Sequence, residues 1–443
     1  MKWEKSSVTW LLSIVLLALV AIGIRQVVLF RQQVEMEKFE VFTLIPSSAV
    51  GVLQTDNFLE VANHSPRRFI LHHTEKIPSY YYQYIDKIVV SEHLNQGVPH
   101  FLTYIKCAKS RQNKLIDVLR LINQSHYPIK IHHYGEHTIQ VLPRDNGEFL
   151  AIYATDNAIV LSEDLYLLHE VIETEEGHVQ PLVKNEEFTS IVRDTKYSRH
   201  KVFLIAEHVW TSYEMDFNGE NIYFTATISN DEGKHPFLFM LGQQVQMEEC
   251  VMDKLYDHLV SFDCFSTSNL LAWLPYLDLP KNGLWINGID QESTGQMFHV
   301  TFTCEERQAS VYLISLKQKI SSQTLHLLSN TSAQSWEVVE YDDCLFLSKH
   351  KGDLQYYMQE VQAGHTIDKS DTFRDIMAQF EPPFSLFSIT CIPLADTALN
   401  MINTLGFKDL IIAYPNFFNR FCVGTQISHA NDLHYVNVVF VPK

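Results

Sequence analysis

A strand-turn-strand pattern of ten residues occurs twice in the chain, and this repeat constrains the fold more than any other feature. The run YATDNAIVLS at 153–162 aligns without gaps on VEYDDCLFLS at 339–348. Asp156-Asn157 in the first copy and Asp342-Asp343 in the second suit the left-handed backbone of a turn, and apolar residues flank them at strand spacing. A helical pattern follows each copy, so the sequence predicts the same strand-turn-strand-helix unit twice.

The similarity continues in the same order further along the chain. NEEFTSIV with the strand VFLIA, within 185–206, matches SDTFRDIM with FSITC, within 370–391, and a hairpin pattern follows each. We therefore predict an internal duplication that divides the folded body into units at 42–246 and 250–443. The predicted fold class is α+β: two similar units of mainly antiparallel sheet with packed helices, preceded by one transmembrane helix. Few residues are identical, so convergence of two strand-helix meanders is the alternative.

The amino terminus carries a hydrophobic segment. Residues 8–24 contain no charged side chain, and apolar character resumes after Arg25 and extends to residue 30. About 20 apolar residues in a helix span the hydrocarbon core of a bilayer. We predict a short cytoplasmic tail at 1–7, a transmembrane signal-anchor helix at 8–30 and a juxtamembrane stalk at 31–41.

A cleaved signal peptide is the competing interpretation of this segment. Lys2 and Lys5 form a basic start, and Ala21-Ile22-Gly23 is similar to a cleavage site. We favour the anchor because the apolar run is longer than a signal-peptide core of about 7–15 residues. The prediction is a single-pass membrane protein, with the lipid bilayer as partner of its first helix. Its body would lie outside the cytoplasm, on the periplasmic side of the inner membrane where the cell has an outer membrane.

Three short stretches carry a family resemblance. They are an Ile-Pro dipeptide that introduces a strand at 45–52, and strand-helix units of VLS type at 159–165 and 345–348. In these stretches, and in its hydrophobic amino terminus, the chain resembles an uncharacterised family of bacterial envelope proteins. The resemblance covers most of the chain. It implies an envelope location and a domain of unknown function, and it assigns no catalytic residue.

Composition excludes several classes of function. The 34 basic and 52 acidic residues give a net charge of −18, which repels phosphate backbones, and the basic runs are short, so we predict no nucleic-acid partner. The seven cysteines are scattered and never spaced as CxxC, so neither a disulfide framework nor a zinc site is indicated. Signatures for phosphate loops, dinucleotides, zincins and α/β-hydrolases are missing, and we predict no cofactor.

Two Ser-x-x-Lys strings, at 198–201 and 348–351, have a spacing used by penicillin-binding enzymes, which bring a lysine amine to a serine at a helix start. Ser198 and Lys201 are therefore catalytic candidates. Each string lies in a charged segment beside a strand, and no SDN or KTG triplet accompanies it. We favour a solvated loop.

The segment KIHHYGEHTIQV at 130–141 gathers three histidines and a glutamate around Gly135. Because side chains alternate along a strand, His132 and His133 lie on opposite faces. With Gly135 in the turn, His133 and His137 would face each other and offer two nitrogens to a metal ion. The second copy has no histidine in the corresponding region, so we favour a solvent-facing hairpin without a metal.

A tyrosine-rich run at 79–84 supplies the ligand-binding candidates Tyr80, Tyr82 and Tyr84, which could stack on a sugar or a peptide. Tyrosines that alternate between core and rim are the more common explanation of such a run. The sequence as a whole favours a membrane-anchored, non-catalytic envelope protein that binds another protein or an envelope polymer. The alternative is an envelope enzyme for a cell-wall or lipid substrate, with its active site between the two units.

Overall fold

The computed structural model describes residues 40–57, 60, 74, 76–194, 198–206, 208–229, 238, 241, 249–267, 270, 274, 277, 279, 285–304, 306–329, 336–391, 404–413 and 415–443. The strands in this part of the chain are β1 (Ala49–Thr55), β2 (Lys87–Asn95), β3 (Val98–Lys106), β4 (Lys130–Tyr134), β5 (His137–Pro143), β6 (Phe149–Ala154), β7 (Ala158–Ser162), β8 (His200–Ala206), β9 (Val209–Asn218), β10 (Asn221–Ser229), β11 (Leu259–Ser266), β12 (Ser293–Cys304), β13 (Arg307–Leu316), β14 (Glu337–Tyr341), β15 (Cys344–Ser348), β16 (Leu386–Cys391), β17 (Phe421–Ala430) and β18 (Leu433–Pro442). The helices are α1 (Lys109–Ile122), α2 (Leu165–Glu175), α3 (Glu186–Asp194), α4 (Glu249–Met252), α5 (Ile286–Glu292), α6 (Ser322–Ser329), α7 (Lys351–Gln362), α8 (Asp371–Met377), α9 (Phe407–Ala413) and α10 (Pro415–Phe418). Short 3-10 helices lie at Phe42–Leu44, Ser79–Tyr84, Leu182–Lys184 and Ile367–Lys369.

The 18 strands belong to one antiparallel sheet, and this finding corrects the predicted fold class. Two similar units, each with its own sheet, were expected. A physical reason is visible at β10 and β18, which pair with each other along eight residues instead of each ending a sheet with open backbone groups. In the part of the chain that the structure describes, no helix is long and apolar enough to cross a membrane. The predicted tail at 1–7 and transmembrane helix at 8–30 lie outside the described residues, as does the stalk up to residue 39.

The described residues form two compact units, the first within 40–50 and 76–194 and the second within 51–57, 60, 74 and 198–443. In the first unit the strands lie in the order β4-β5-β6-β7-β3-β2. Helix α1 packs Leu115 and Leu119 on one face of this sheet, against Ile152 and Leu161. Helix α2 lies over the opposite face, above β6 and β7.

In the second unit the strands lie in the order β1-β8-β9-β10-β18-β17-β16-β11-β12-β13-β15-β14. A core cluster forms between these strands and the helices α7 and α8, and it includes the buried side chains of Phe262, Phe298, Phe346, Tyr357 and Phe387. Because strands with buried faces need apolar residues on those faces, the long hydrophobic runs in β12, β13 and β15 follow from their position.

Two runs of strands share one order of pairing. The order β6-β7-β3-β2 corresponds to β14-β15-β13-β12, and the order β1-β8-β9-β10 corresponds to β11-β16-β17-β18. Individual contacts correspond as well: Ser162 Oγ donates to Phe101 O at 3.0 Å, and Ser348 Oγ donates to Ser310 O at 3.1 Å. The predicted duplication, with units at 42–246 and 250–443, concerns ancestry and stays a prediction.

Candidate functional site

Strands β4 and β5 form a hairpin closed by the two-residue turn Gly135-Glu136. Tyr134 pairs with His137 across this turn, and Gly135 has a φ of +57°. A positive φ at the first central residue is what a tight two-residue turn of type II′ requires, and glycine adopts it without strain. The local sequence therefore determines the turn, and the turn determines which residues face each other.

The register separates the two predicted metal candidates. His133 pairs with Thr138, whereas His137 pairs with Tyr134, so the side chains of His133 and His137 lie on opposite faces of the hairpin. His132 shares the face of Tyr134 and His137, two residues away along the strand. His133 is exposed on the other face.

The face of His132 meets helix α2 and forms a polar cluster, here called the helix-side cluster. Its members are His132, Tyr134, His137, Tyr153, His169, Glu173, Glu175, Glu176 and His178. At one end the Nε2 atoms of His132 and His169 are 3.0 Å apart. The Tyr134 ring stacks on His169 with centroids 4.0 Å apart, and burial followed by the proximity of His132 lowers the pKa of His169.

At the other end of the cluster, carboxylates and imidazoles converge on the end of α2. The distance from His178 Nδ1 is 2.9 Å to Glu173 Oε2 and 3.3 Å to Glu176 Oε2, and His137 Nε2 lies 2.9 Å from Glu176 Oε1. The ligand atoms of Glu173, Glu176 and His178 all lie within 4.8 Å of one another. These residues could hold a metal ion.

Two tyrosine hydroxyls orient this end of the cluster. Tyr134 donates to Glu173 Oε1 at 2.7 Å, and this hydrogen bond lowers the pKa of the Glu173 carboxylate. The Tyr153 hydroxyl lies 2.8 Å from His137 Nδ1 and donates to Glu175 Oε2. Burial and then the bond to Glu175 raise the pKa of Tyr153, so its hydroxyl stays protonated. Sequence reasoning found His137 and missed the residues from α2, because 39 positions separate His137 from Glu176.

The opposite face of the hairpin and its outer edge are exposed. Among the described strands, β4 pairs with β5 alone. Near this edge the chain exposes four large apolar side chains: Leu121 (69%), Tyr127 (58%), Ile129 (44%) and Ile131 (53%). Arg120 of α1 donates to Gln140, the residue that pairs with Ile131, so the end of α1 lies beside this strand. These four residues are called the edge patch.

The catalytic candidate Ser198 lies two residues before strand β8, and Lys201 is the second residue of that strand, so neither lies at a helix start. Ser198 Oγ donates to His200 O at 3.0 Å. Lys201 is buried and pairs with Gln54 across the sheet. The Ser-x-x-Lys spacing depends on a helix, where side chains three positions apart lie on one face. In a strand, side chains three positions apart point to opposite faces, so Ser198 and Lys201 lack the required arrangement.

A hydroxyl-imidazole-carboxylate arrangement that the sequence did not reveal lies next to these residues. Thr55 Oγ1 is 2.8 Å from His200 Nδ1, and His200 Nε2 is 3.2 Å from Glu60 Oε2. The order of groups is that of a hydrolase triad. However, Thr55 is 1% exposed and His200 2%, so a substrate has no access to the hydroxyl. Because Thr55 and His200 are paired across β1 and β8, the bond joins two strands.

A second serine-histidine pair involves Ser48 and His93. Ser48 Oγ lies 2.9 Å from His93 Nδ1, and Ser91 Oγ lies 2.9 Å from His93 Nε2. Burial, aided by His100, lowers the pKa of His93 to about 4. A base this weak is far from the near-neutral pKa that favours general-base catalysis at pH 7.

The tyrosine candidates lie on the 3-10 helix Ser79–Tyr84. Tyr82 and Tyr84 pack against the core cluster of the first unit, whereas Tyr80 is 63% exposed. The ring of Tyr80 lies 4.2 Å from that of Tyr81. The run therefore contributes mainly to packing, and Tyr80 is its exposed member.

No protein-family model matches the sequence, and no curated protein matches it. Solved structures with some similarity include two crystal forms of TP0453. One is 11% identical with a TM-score of 0.21, and the other is 12% identical with a TM-score of 0.22. Each similarity covers 72% of this chain and 96% of TP0453. A TM-score this low carries no information about function.

Proposed function

We propose that the chain is a membrane-anchored, non-catalytic protein of the cell envelope that binds a protein partner by strand addition at β4. The observation that carries this proposal is the open edge of β4 beside four exposed apolar side chains. An exposed edge offers a row of backbone donors and acceptors, which an extended segment of another protein can complete. The hydrophobic segment at 8–30 supports attachment to a membrane.

The edge patch distinguishes β4 from β14, which is the strand at the other end of the pairing order. Strand β14 carries Glu337 and Glu340, and charged side chains discourage pairing at an edge. Strand β4 presents Ile131 as its second residue, and Ile129 lies two residues earlier, just before the strand begins. Side chains at this spacing point to one face, so both can enter the apolar pockets of one partner.

The groups that resemble catalytic machinery support binding over catalysis. Thr55 is buried, and His93 is too weak a base to activate Ser48 at neutral pH. An envelope enzyme for a cell-wall or lipid substrate is the alternative, but none of the arrangements found in the described residues favours it.

The test is photo-crosslinking from the edge patch of the full chain in its native membranes. A photoreactive amino acid at Ile129 is expected to give one discrete protein adduct. The substitution Ile131→Lys should reduce this adduct about tenfold or more, the loss expected when a central apolar contact is replaced by a charge. Val339, an exposed residue on the edge strand β14, is the matched position for both the photoreactive group and a lysine substitution.

Three results would contradict the proposal. They are identical adducts from positions 129 and 339, an adduct unaffected by Ile131→Lys, or an adduct that contains carbohydrate and no protein. The last result would indicate an envelope polymer as the partner.

A further inference from the structure

We propose that the end of helix α2 and the β4–β5 hairpin together form a binding site for a divalent transition-metal ion, with Glu173, Glu176, His178 and His137 as its ligands. This inference goes beyond strand addition at β4. His137 lies on the face of the hairpin opposite Ile131, and the other three residues lie at the end of α2 or just after it, beside that face. Two imidazole nitrogens and two carboxylates make a donor set that suits Zn²⁺.

The ligand atoms of Glu173, Glu176 and His178 all lie within 4.8 Å of one another, close to the spacing around a small ion. Tetrahedral Zn²⁺ with bonds of about 2.0–2.2 Å places neighbouring donor atoms roughly 3.3 Å apart. Here His178 Nδ1 lies 3.3 Å from Glu176 Oε2 and 2.9 Å from Glu173 Oε2, and His137 Nε2 lies 2.9 Å from Glu176 Oε1. An ion therefore needs only small movements of Glu173, Glu176 and His178. His137 contacts the other oxygen of Glu176, so its ring has to shift further to complete the ligand set.

The charge at the end of α2 favours a cation. Glu173 and Glu175 lie in the last turn and Glu176 is the C-cap, and the last turn contains no basic residue. Three carboxylates thus lie at the negative end of a helix dipole, where cations are favoured and anions are not. Helix α7 ends differently, since Lys369 Nζ donates to Gly364 O at 2.8 Å beyond its last turn.

Comparison of α2 with α7 separates the proposed site from an ordinary helix ending. After α2, Gly177 has a φ of +81°, and the His178 ring contacts Glu173. After α7, Gly364 has a φ of +85°, and the His365 ring contacts Glu360 at 2.6 Å. This shared histidine-glutamate pair is a feature of how both helices end. At α2, Glu176 and His137 join this pair. Helix α7 has no carboxylate at the position that corresponds to Glu176, because its C-cap is Ala363.

The neighbours of the ligands are those that metal sites require. A ligating histidine usually makes a hydrogen bond through its other ring nitrogen, which fixes the orientation of the ring. His137 Nδ1 contacts the Tyr153 hydroxyl, which leaves Nε2 directed at Glu176. The Tyr134 hydroxyl holds one oxygen of Glu173 and leaves the other for His178 and the ion.

The test is titration of the full chain, in detergent and freed of metal by a chelator, with Zn²⁺ in a calorimeter and with Co²⁺ by visible absorption. One ion is expected to bind, and Co²⁺ should show the intense bands of a tetrahedral site. We expect Glu176→Gln and His137→Gln to weaken binding at least tenfold. Tyr153→Phe should weaken it about 10-fold, as is usual for residues that support a ligand.

Two substitutions are matched controls. His365→Gln removes the equivalent histidine after α7, and His133→Gln removes the exposed histidine on the other face of the hairpin; both should leave the affinity unchanged. The proposal is overturned when the native chain binds no ion, when His365→Gln weakens binding as much as Glu176→Gln does, or when His133→Gln does so. Ile131→Lys should retain the ion, so that failure of the metal site and failure of the edge patch are distinguishable.

Discussion

The surroundings of a histidine determine its role in this chain, and they differ from residue to residue. His93 is buried between two serine hydroxyls, His200 is buried between Thr55 and a carboxylate, and His137 is partly exposed beside Glu176. A buried imidazole with neutral partners loses its proton easily, because burial destabilises the charged form. His93 is therefore a histidine whose titration opposes folding in acid.

His93 should make the protein less stable as the pH falls. Its pKa is about 4 in the folded chain and about 6.5 in an unfolded one, so the unfolded chain takes up the proton first. The stability that the neutral ring supports is present above pH 6.5 and is lost as the pH falls from there towards 4, by about 2 kcal/mol between pH 7 and pH 5. Urea unfolding at both pH values measures this loss.

The substitution His93→Gln should remove most of that pH dependence, although it also lowers stability at pH 7. His133→Gln, at an exposed position, should keep the native dependence. An equal loss between pH 7 and pH 5 in the native chain and in His93→Gln would contradict the assignment to His93.

Secondary-structure elements were predictable where their signals are local. The patterns at 153–162 and 339–348 coincide with the end of β6 and all of β7, and with the end of β14 and all of β15, because Asx-rich turns and apolar alternation act over a few residues. The face of His137 was not predictable, since it depends on which residues close the turn. Its partners were not predictable either, because Glu176 comes from a helix far along the chain. The single sheet depends on the pairing of β10 with β18, and no short window of sequence carries that information.

Helix α7 depends on an ion pair at its first turn. Arg307 contacts both carboxylate oxygens of Asp353, which is 1% exposed. Arg307→Met leaves the buried carboxylate without this partner, and we expect a loss of about 2–3 kcal/mol in the free energy of unfolding. Chemical denaturation measures it. The double substitution Arg307→Met with Asp353→Leu should recover part of the loss, because two apolar groups need no partner.

The matched control for this pair is Arg374→Met. Arg374 pairs with Asp371 at the surface, where the two side chains are 65% and 90% exposed, and such pairs contribute about 0–1 kcal/mol. Equal effects of Arg307→Met and Arg374→Met would show that the burial of Asp353 does not matter.

The arrangement of the second unit places corresponding strands of the proposed duplication side by side. Strand β10 follows the turn after Asn218, and β18 follows the turn after Ala430. Thr225 and Asn437 are each seven residues beyond these turn-closing positions, and they are paired directly. Equivalent residues that pair with each other mark a local two-fold relation, which is the relation between two identical strands in a dimer.

A fragment of residues 250–443 is therefore expected to form a homodimer through β18. Without β10, the edge of β18 is open, and a second copy of β18 can pair with it in the same register, with Asn437 opposite Asn437. Light scattering after gel filtration should give the mass of a dimer. Asn437→Lys should give a monomer, because like charges directly opposite each other destabilise a strand pair, and Asn437→Asp should do the same. Mixing the two variants places Lys opposite Asp and should restore a dimer. A folded monomer from the native fragment, or a dimer that survives both substitutions, would show that β18 does not pair in this way.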